Sequence, residues 1–159
     1  MILVILGTQK FQLNRLLKTM DMYIEQNVIE EEVFAQIGNS DYIPLHYAYD
    51  RFLDKEKFET YINSASLVIT HSGVGSIISA INAKKPIIVY PRLAKYKEHV
   101  DDHQLDIARA FEKKNYVLCC YEEDQLIDLI HIGKDCELEV YTSKREQIIE
   151  IVSHFLSTN

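Results

Sequence analysis

Six short apolar runs, several rich in β-branched residues, recur along these 159 residues, and longer stretches with apolar side chains at helical spacing separate them. Residues 2–6 are continuously apolar, as in a strand buried on both faces of a sheet. Further strands are predicted over 33–37, 43–49, 67–70, 86–90 and 116–119; the turn cluster Gly38-Asn39-Ser40-Asp41 closes the second. Between them, Leu13, Leu16, Leu17, Met20 and Ile24 share one helical face. Asp54 can cap a helix reaching about Ser64, and Val74, Ile77, Ile78 and Ile81 mark another over 74–83. Helices are also predicted over 100–113, around Leu126, Ile127 and Ile130, and as an amphipathic C-terminal helix at about 142–156. Strands alternating with helices require crossover connections. The expectation is therefore one α/β domain over 1–159, a Rossmann-like parallel sheet with helices on both faces.

A chain of this length can bury roughly two thirds of its unfolded surface in one core. Its net charge of −7 argues against a nucleic-acid partner, because phosphate neutralisation needs a basic excess. No run approaches the roughly 20 apolar residues of a membrane span, and the first residues lack the basic leader of a signal peptide. The three cysteines have no metal spacing, and Cys119 and Cys120 fall at a strand end, in keeping with a reducing compartment. A cytoplasmic protein is expected.

Ligands of parallel sheets bind beyond the carboxyl ends of the strands. The loop after 67–70, His71-Ser72-Gly73-Val74-Gly75-Ser76, carries two glycines and two hydroxyls directly before a helix. Such a turn admits a ligand close to the backbone and offers helix-terminal N–H groups to an anion. It equally fits a plain tight turn in which Ser72 caps the helix. The turn lacks the Lys of a Walker loop and the third Gly of a dinucleotide fingerprint. Gly7-Thr8-Gln9 opens the first helix at the same predicted sheet edge. The polar stretch 91–104 holds Arg92, Lys95, Lys97, Glu98, His99, Asp101, Asp102, His103 and Gln104. Asp101 and Gln104 are spaced as a capping box, while Gln104 also shares the apolar helical face of Val100, Ile107, Ala108 and Phe111. Glu98 and Asp102, like His99 and His103, are four apart, but no metal motif is formed and no metal or cofactor is expected.

Taken together, 71–78, the run Lys85 to Pro91, and Asp102-His103-Gln104 resemble the C-terminal, donor-binding domain of glycosyltransferase family 28. Gly7-Thr8, Gln36-Ile37-Gly38 and Phe52-Leu53-Asp54 extend the likeness over most of the chain in the right order. That family includes the peptidoglycan N-acetylglucosaminyltransferase and the small subunit of the dolichol-linked N-acetylglucosaminyltransferase. The segment from Pro91 to Val100 is similar to PssE-type small subunits of bacterial exopolysaccharide and capsule glycosyltransferases.

The resemblance implies the C-terminal half of a GT-B enzyme and a UDP-sugar as donor substrate. It places Phe52 and Leu53 near uracil, Ser72, Gly73, Gly75 and Ser76 at the diphosphate, and His103 and Gln104 at the donor sugar. Gly7, Thr8, Gln36 and His71 complete the set, and Ser79 stands where several relatives carry a ribose-binding Glu. It further implies an inverting transfer of a hexose to a lipid-linked acceptor in surface polysaccharide biosynthesis. A membrane-associated partner subunit would supply the acceptor half, forming a heterodimer recruited to the inner face of the membrane. The general base is then expected on the partner, with Glu98 and His99 as the candidates in this chain. A non-catalytic enhancer or recruiting subunit remains the alternative. A dinucleotide-dependent oxidoreductase is a weaker third reading.

Overall fold

The computed structural model describes residues 1–136 and residue 153; apart from that one residue, the helix expected at 142–156 lies outside the described residues. Four of its strands sit where continuous apolar runs demand burial on both faces: β1 (Ile2–Ile5), β2 (Val33–Gln36), β4 (Leu67–Thr70) and β5 (Ile87–Val89). With β3 (Ala48–Asp50) and β6 (Leu118–Cys119) they form one six-stranded sheet in the order β3-β2-β1-β4-β5-β6. Every neighbouring pair is parallel, with Ile2 opposite Val33 on one side of β1 and Leu67 on the other. The expected Rossmann-like α/β class is the observed one.

Side-chain alternation along the strands divides the core in two. Ile2, Val4, Ala35, Ile69 and Ile88 point to one face, where α1 (Asn14–Glu25) packs Leu16, Leu17 and Met20, and α5 (Leu126–Asp135) packs Leu126 and Ile130. Leu3, Ile5, Phe34, Val68 and Val89 point to the other. That face is covered by α2 (Lys55–Ser64), α3 (Val74–Asn82) and α4 (His103–Lys113) through Ile62, Ile77, Ala80, Ile107 and Phe111. Asp54 caps α2 as expected, accepting from the Lys57 N–H at 2.9 Å. Cys119 and Cys120 are unpaired, and burial pushes both thiols up to about 12, far from thiolate chemistry.

Three boundaries differ from the sequence expectation. The strand predicted over 43–49 is shortened to β3, because Pro44 removes a ladder donor and buried Asp21 of α1 captures what precedes it. Its carboxylate accepts from Tyr42 Oη at 2.6 Å, from Leu45 N–H at 2.8 Å and from His46 N–H at 2.9 Å. Likewise α4 begins at His103 rather than at residue 100, and no capping box forms. Asp102 Oδ1 accepts from the Ala94 N–H (2.8 Å) and Gln104 Oε1 from the Arg92 N–H (3.0 Å), so both side chains serve the loop before the helix. The last strand retains only Leu118–Cys119 of the predicted 116–119.

Asp21→Ala should cost about 2 kcal/mol or more, since it strands two backbone donors and a phenol at once. Urea unfolding checks this; an unchanged midpoint would mean that the 42–46 segment contributes nothing to stability.

Candidate functional site

The chain runs outward from β1 to β3, then returns across β1 to build β4, β5 and β6, so the order reverses between β1 and β4. At such a switch point the loops leaving the two central strands separate and open a crevice beyond their carboxyl ends. Here those loops start at Leu6 and His71.

The two loops meet on one imidazole. A Cβ on Gly7, which has φ +73°, would lie 2.6 Å from His71 Cε1, and one on Gly73 would lie 2.2 Å from His71 Nε2. Both positions must therefore be glycine for the ring to sit where it does. His71 Nδ1 faces the Ile5 carbonyl at 3.3 Å, which fixes the proton on that nitrogen. Burial, and then the nearby charge of Arg92, pushes the imidazole down to about 3. His71 is thus a neutral wedge beneath the turn.

Above it, α3 begins. Its first intrahelical bond runs from the Ile77 N–H to the Gly73 carbonyl at 3.1 Å, which leaves the Val74, Gly75 and Ser76 N–H groups without intrahelical acceptors. Ser72 does not cap the helix: its Oγ is buried with no partner. A Cβ on Gly75 would meet nothing within 4 Å, so that face is open. Ser79 turns its hydroxyl back to the Gly75 carbonyl at 2.9 Å, which occupies its proton and leaves it an acceptor. The arrangement suits an anion held by backbone N–H groups at the positive end of a helix.

The remaining loops are tied to this centre. Gln36 is buried; its Nε2 donates to the Gly7 carbonyl (3.3 Å) and its Oε1 accepts from the Leu53 N–H (3.4 Å). Phe52, next along, is 49% exposed and free to pack on a planar ligand, while Thr8 is exposed at the start of the first loop. Arg92 is fully buried and binds that loop through three carbonyls. Its Nη2 donates to Leu6 (2.7 Å) and Phe11 (3.1 Å), and its Nε to Gln12 (3.1 Å). Burial pulls Arg92 down to about 10, which still leaves it charged, and its Nη1 has no partner.

Of the residues in 98–104, Glu98 is buried in structural bonds. Its Oε1 and Oε2 accept from Arg15 at 3.1 and 2.9 Å, and Oε2 also from the Leu93 N–H at 3.1 Å. Arg15 is in turn stacked between the Tyr90 and Tyr96 rings, 4.5 and 4.4 Å from their centroids. A hollow of about 420 Å³ beside this pair is lined by Gln12, Arg15, Lys97 and Glu98, and by none of the turn residues 71–76. His99 packs on the Phe11 ring with centroids 4.3 Å apart. Its Nδ1 and that of His103 both contact Asp101 Oδ1, the first at 3.2 Å. The ligand-type atoms of these three residues lie within 4.8 Å of one another, close enough to share a metal ion. Neither Arg92 nor Asp101 is among the site residues expected from the sequence. A basic residue in a polar loop carries no signal of burial or of a distant partner, and the spacing of Asp101 reads as a helix cap.

Residues 1–156 match the glycosyltransferase family 28 C-terminal domain. The chain belongs to this family. It is 34% identical over 110 residues to the UDP-N-acetylglucosamine transferase subunit ALG13 of Candida albicans, covering 67% of this chain and 34% of that protein. To the human subunit of the same name it is 29% identical over 93 residues, covering 55% of this chain and 8% of that protein. The chain therefore spans about a third or less of the length of these relatives. Among solved structures, the glycotransferase of kitacinnamycin superposes with a TM-score of 0.63 at 15% identity, covering 98% of this chain and 39% of that one. MurG of Acinetobacter baumannii does so at 0.57 and 16%, covering 96% and 45%. These likenesses show a shared glycosyltransferase fold. No helix among the described residues is long and apolar enough to cross a membrane.

Two outcomes follow from the buried groups. Because folded His71 titrates near 3 and an unfolded histidine near 6.5, the unfolded chain binds the extra proton between these values. Stability is full above about pH 6.5 and falls below it by up to about 1.4 kcal/mol per pH unit from this group. His71→Asn should flatten the fall between pH 6.5 and 4.5 measured by urea unfolding; an identical slope would show that His71 is not buried neutral. Glu98→Ala leaves the Arg15 guanidinium without its carboxylate in a largely buried site and should cost about 3 kcal/mol in the same assay, whereas a freely exposed carboxylate would cost almost nothing.

Proposed function

We propose that this chain is the donor-binding half of a glycosyltransferase that takes a hexose from a UDP-sugar. The observation that carries the reading is the α3 terminus at the switch point: three N–H groups without intrahelical acceptors, a buried Ser72 hydroxyl with no partner, and the open face at Gly75. A diphosphate offers the oxygens these donors lack, and the helix end stabilises the charge that develops on the leaving UDP. Exposed Phe52 beyond the Gln36–Leu53 bridge supplies a surface for the uracil ring. The names of the relatives make UDP-N-acetylglucosamine the first donor to test.

The rest of the reading rests on the family resemblance and on the relatives, which are named as subunits. A partner subunit, membrane-associated and recruiting this chain to the inner face of the membrane, supplies the acceptor half and presents a lipid-linked sugar. Transfer proceeds with inversion, early in assembly of a surface polysaccharide. No cofactor is needed beyond the donor, because the helix terminus provides the electrostatic stabilisation.

Calorimetric titration of UDP onto the chain and onto two variants tests the site. A Cβ at Gly75 meets nothing within 4 Å and a helix start tolerates both residues, so neither Gly75→Ala nor Gly75→Asp should lower stability. UDP affinity should fall several-fold for Ala and by at least about 100-fold for Asp, whose carboxylate opposes the phosphates. Equal affinity in all three proteins, or no saturable UDP binding by the parent, would refute the reading.

A further inference from the structure

We infer that His99, Asp101 and His103 form a site for a first-row divalent cation, with zinc the best match, that clamps the loop before α4 to the start of that helix. The site uses no donor group of the diphosphate turn, so it stands or falls separately from the donor-half reading.

The three side chains alternate along the run His99-Val100-Asp101-Asp102-His103. On a helix, residues two apart point away from each other, which is why the sequence shows no such site. Here the segment is loop as far as His103, where α4 begins, and that bar is removed. The intervening residues go elsewhere: Val100 is 77% exposed, and Asp102 Oδ1 accepts from the Ala94 N–H at 2.8 Å. Asp101 Oδ1 meets both imidazoles, His99 Nδ1 at 3.2 Å and His103 Nδ1 in a closer contact. One ring is enough to satisfy this oxygen. The second, set against the first with centroids 4.6 Å apart, brings a further nitrogen to the same place. Among the described residues this is the one group of three whose ligand-type atoms converge in this way.

The dimensions suit an ion. Zinc bonds of about 2.0–2.2 Å in a tetrahedral shell set ligand atoms roughly 3.3–3.5 Å apart. The His99–Asp101 separation of 3.2 Å is already of that size. No ligand-type atom is more than 4.8 Å from the others, and the remaining gap closes by rotation of Asp101 and His103, whose side chains are 58% and 43% exposed. The frame behind them is fixed. The His99 side chain is 7% exposed and packs on the Phe11 ring, and the His103 N–H donates to Asp101 Oδ1 at 3.1 Å. Gln104 Oε1, holding the Arg92 N–H at 3.0 Å, ties the helix start to the loop after β5. Binding therefore orders two exposed side chains and little else, which keeps its entropic cost small.

The donor set selects the ion. Two imidazole nitrogens and one carboxylate oxygen are the set of three-ligand zinc sites, which keep a fourth position for water. Imidazole also suits cobalt and nickel, whereas magnesium and calcium take shells of oxygen. Coordination through Nδ1 leaves the His103 Nε2–H as a donor, compatible with the sugar contact that the family resemblance gives this residue.

Calorimetric titration of zinc chloride onto the chelator-stripped full chain should give one saturable equivalent, and magnesium chloride none. His99→Ala, His103→Ala and Asp101→Asn should each weaken zinc binding by at least about 10-fold. His131→Ala, on α5 at the opposite face of the sheet, should bind as the parent does. Cobalt supplies a spectroscopic readout: the visible bands of a four-coordinate ion should appear with the parent and vanish in the three site variants. Zinc should also raise the urea midpoint of the parent and leave that of Asp101→Asn in place; Asp101 is exposed enough for this variant to fold without the ion. Absence of saturable zinc binding by the folded parent overturns the proposal. So does zinc affinity within about threefold of the parent in all three site variants, which would put the ion elsewhere. Displacement of zinc by an equal concentration of magnesium overturns it as well, since that is the behaviour of an oxygen-only shell.

Discussion

The packing of the His71 ring between the backbones of Gly7 and Gly73 is the contact on which the site depends. The two loops that flank the crevice belong to different strands, and nothing in a parallel ladder specifies how far apart they stand. A planar ring with no Cβ on either side sets that distance. It also orders the first loop from below, because the same ring is held by the Ile5 carbonyl at the end of β1. A substituted glycine at either place would displace the imidazole, and with it the turn that starts α3. The neutrality of His71 is part of the device: a charged ring here would be an unpaired buried cation beside Arg92.

Around this wedge the protein uses buried polar groups as ties between loops. Arg92 gathers three carbonyls of the first loop, Gln36 joins that loop to the segment after β3, and Glu98 links the loop after β5 to Arg15 of α1. Each tie crosses between segments far apart in the chain and fixes a loop that the hydrophobic core does not reach. The unpartnered atoms left over among the described residues, Ser72 Oγ and Arg92 Nη1, are the exceptions to an otherwise satisfied interior. Ser72 lies at the α3 terminus, where an anion would complete its bonding.

Much of the fold is legible in the sequence. The runs at 2–6, 33–37 and 67–70 match β1, β2 and β4 within a residue, because burial on both faces requires unbroken apolar sequence. The helix faces of α1 and α3 are equally readable from their spacing. Legibility ends where polar side chains choose partners at long range. Asp21 draws 42–46 off the sheet edge, and Asp102 and Gln104 leave the helix start to bond the preceding loop. Glu98, a candidate base by its sequence position, is committed to Arg15, 83 positions away in sequence. In each case the spacing pattern describes neighbours along the chain, whereas the bond is made to a neighbour in space.

By itself the sequence determined the α/β class, the strands that carry the core, the glycine turn before α3 and the order of family motifs along the chain. These are local properties: periodicity, β-branching, and glycine where backbone room is needed. Only the tertiary structure decided that β1 and β4 are adjacent, that His71 lies between two glycines from separate loops, and that Glu98 pairs with Arg15. The physical reason is that sheet order and buried polar pairing are set by which distant groups satisfy one another once water is excluded, and that competition is not written in any window of sequence.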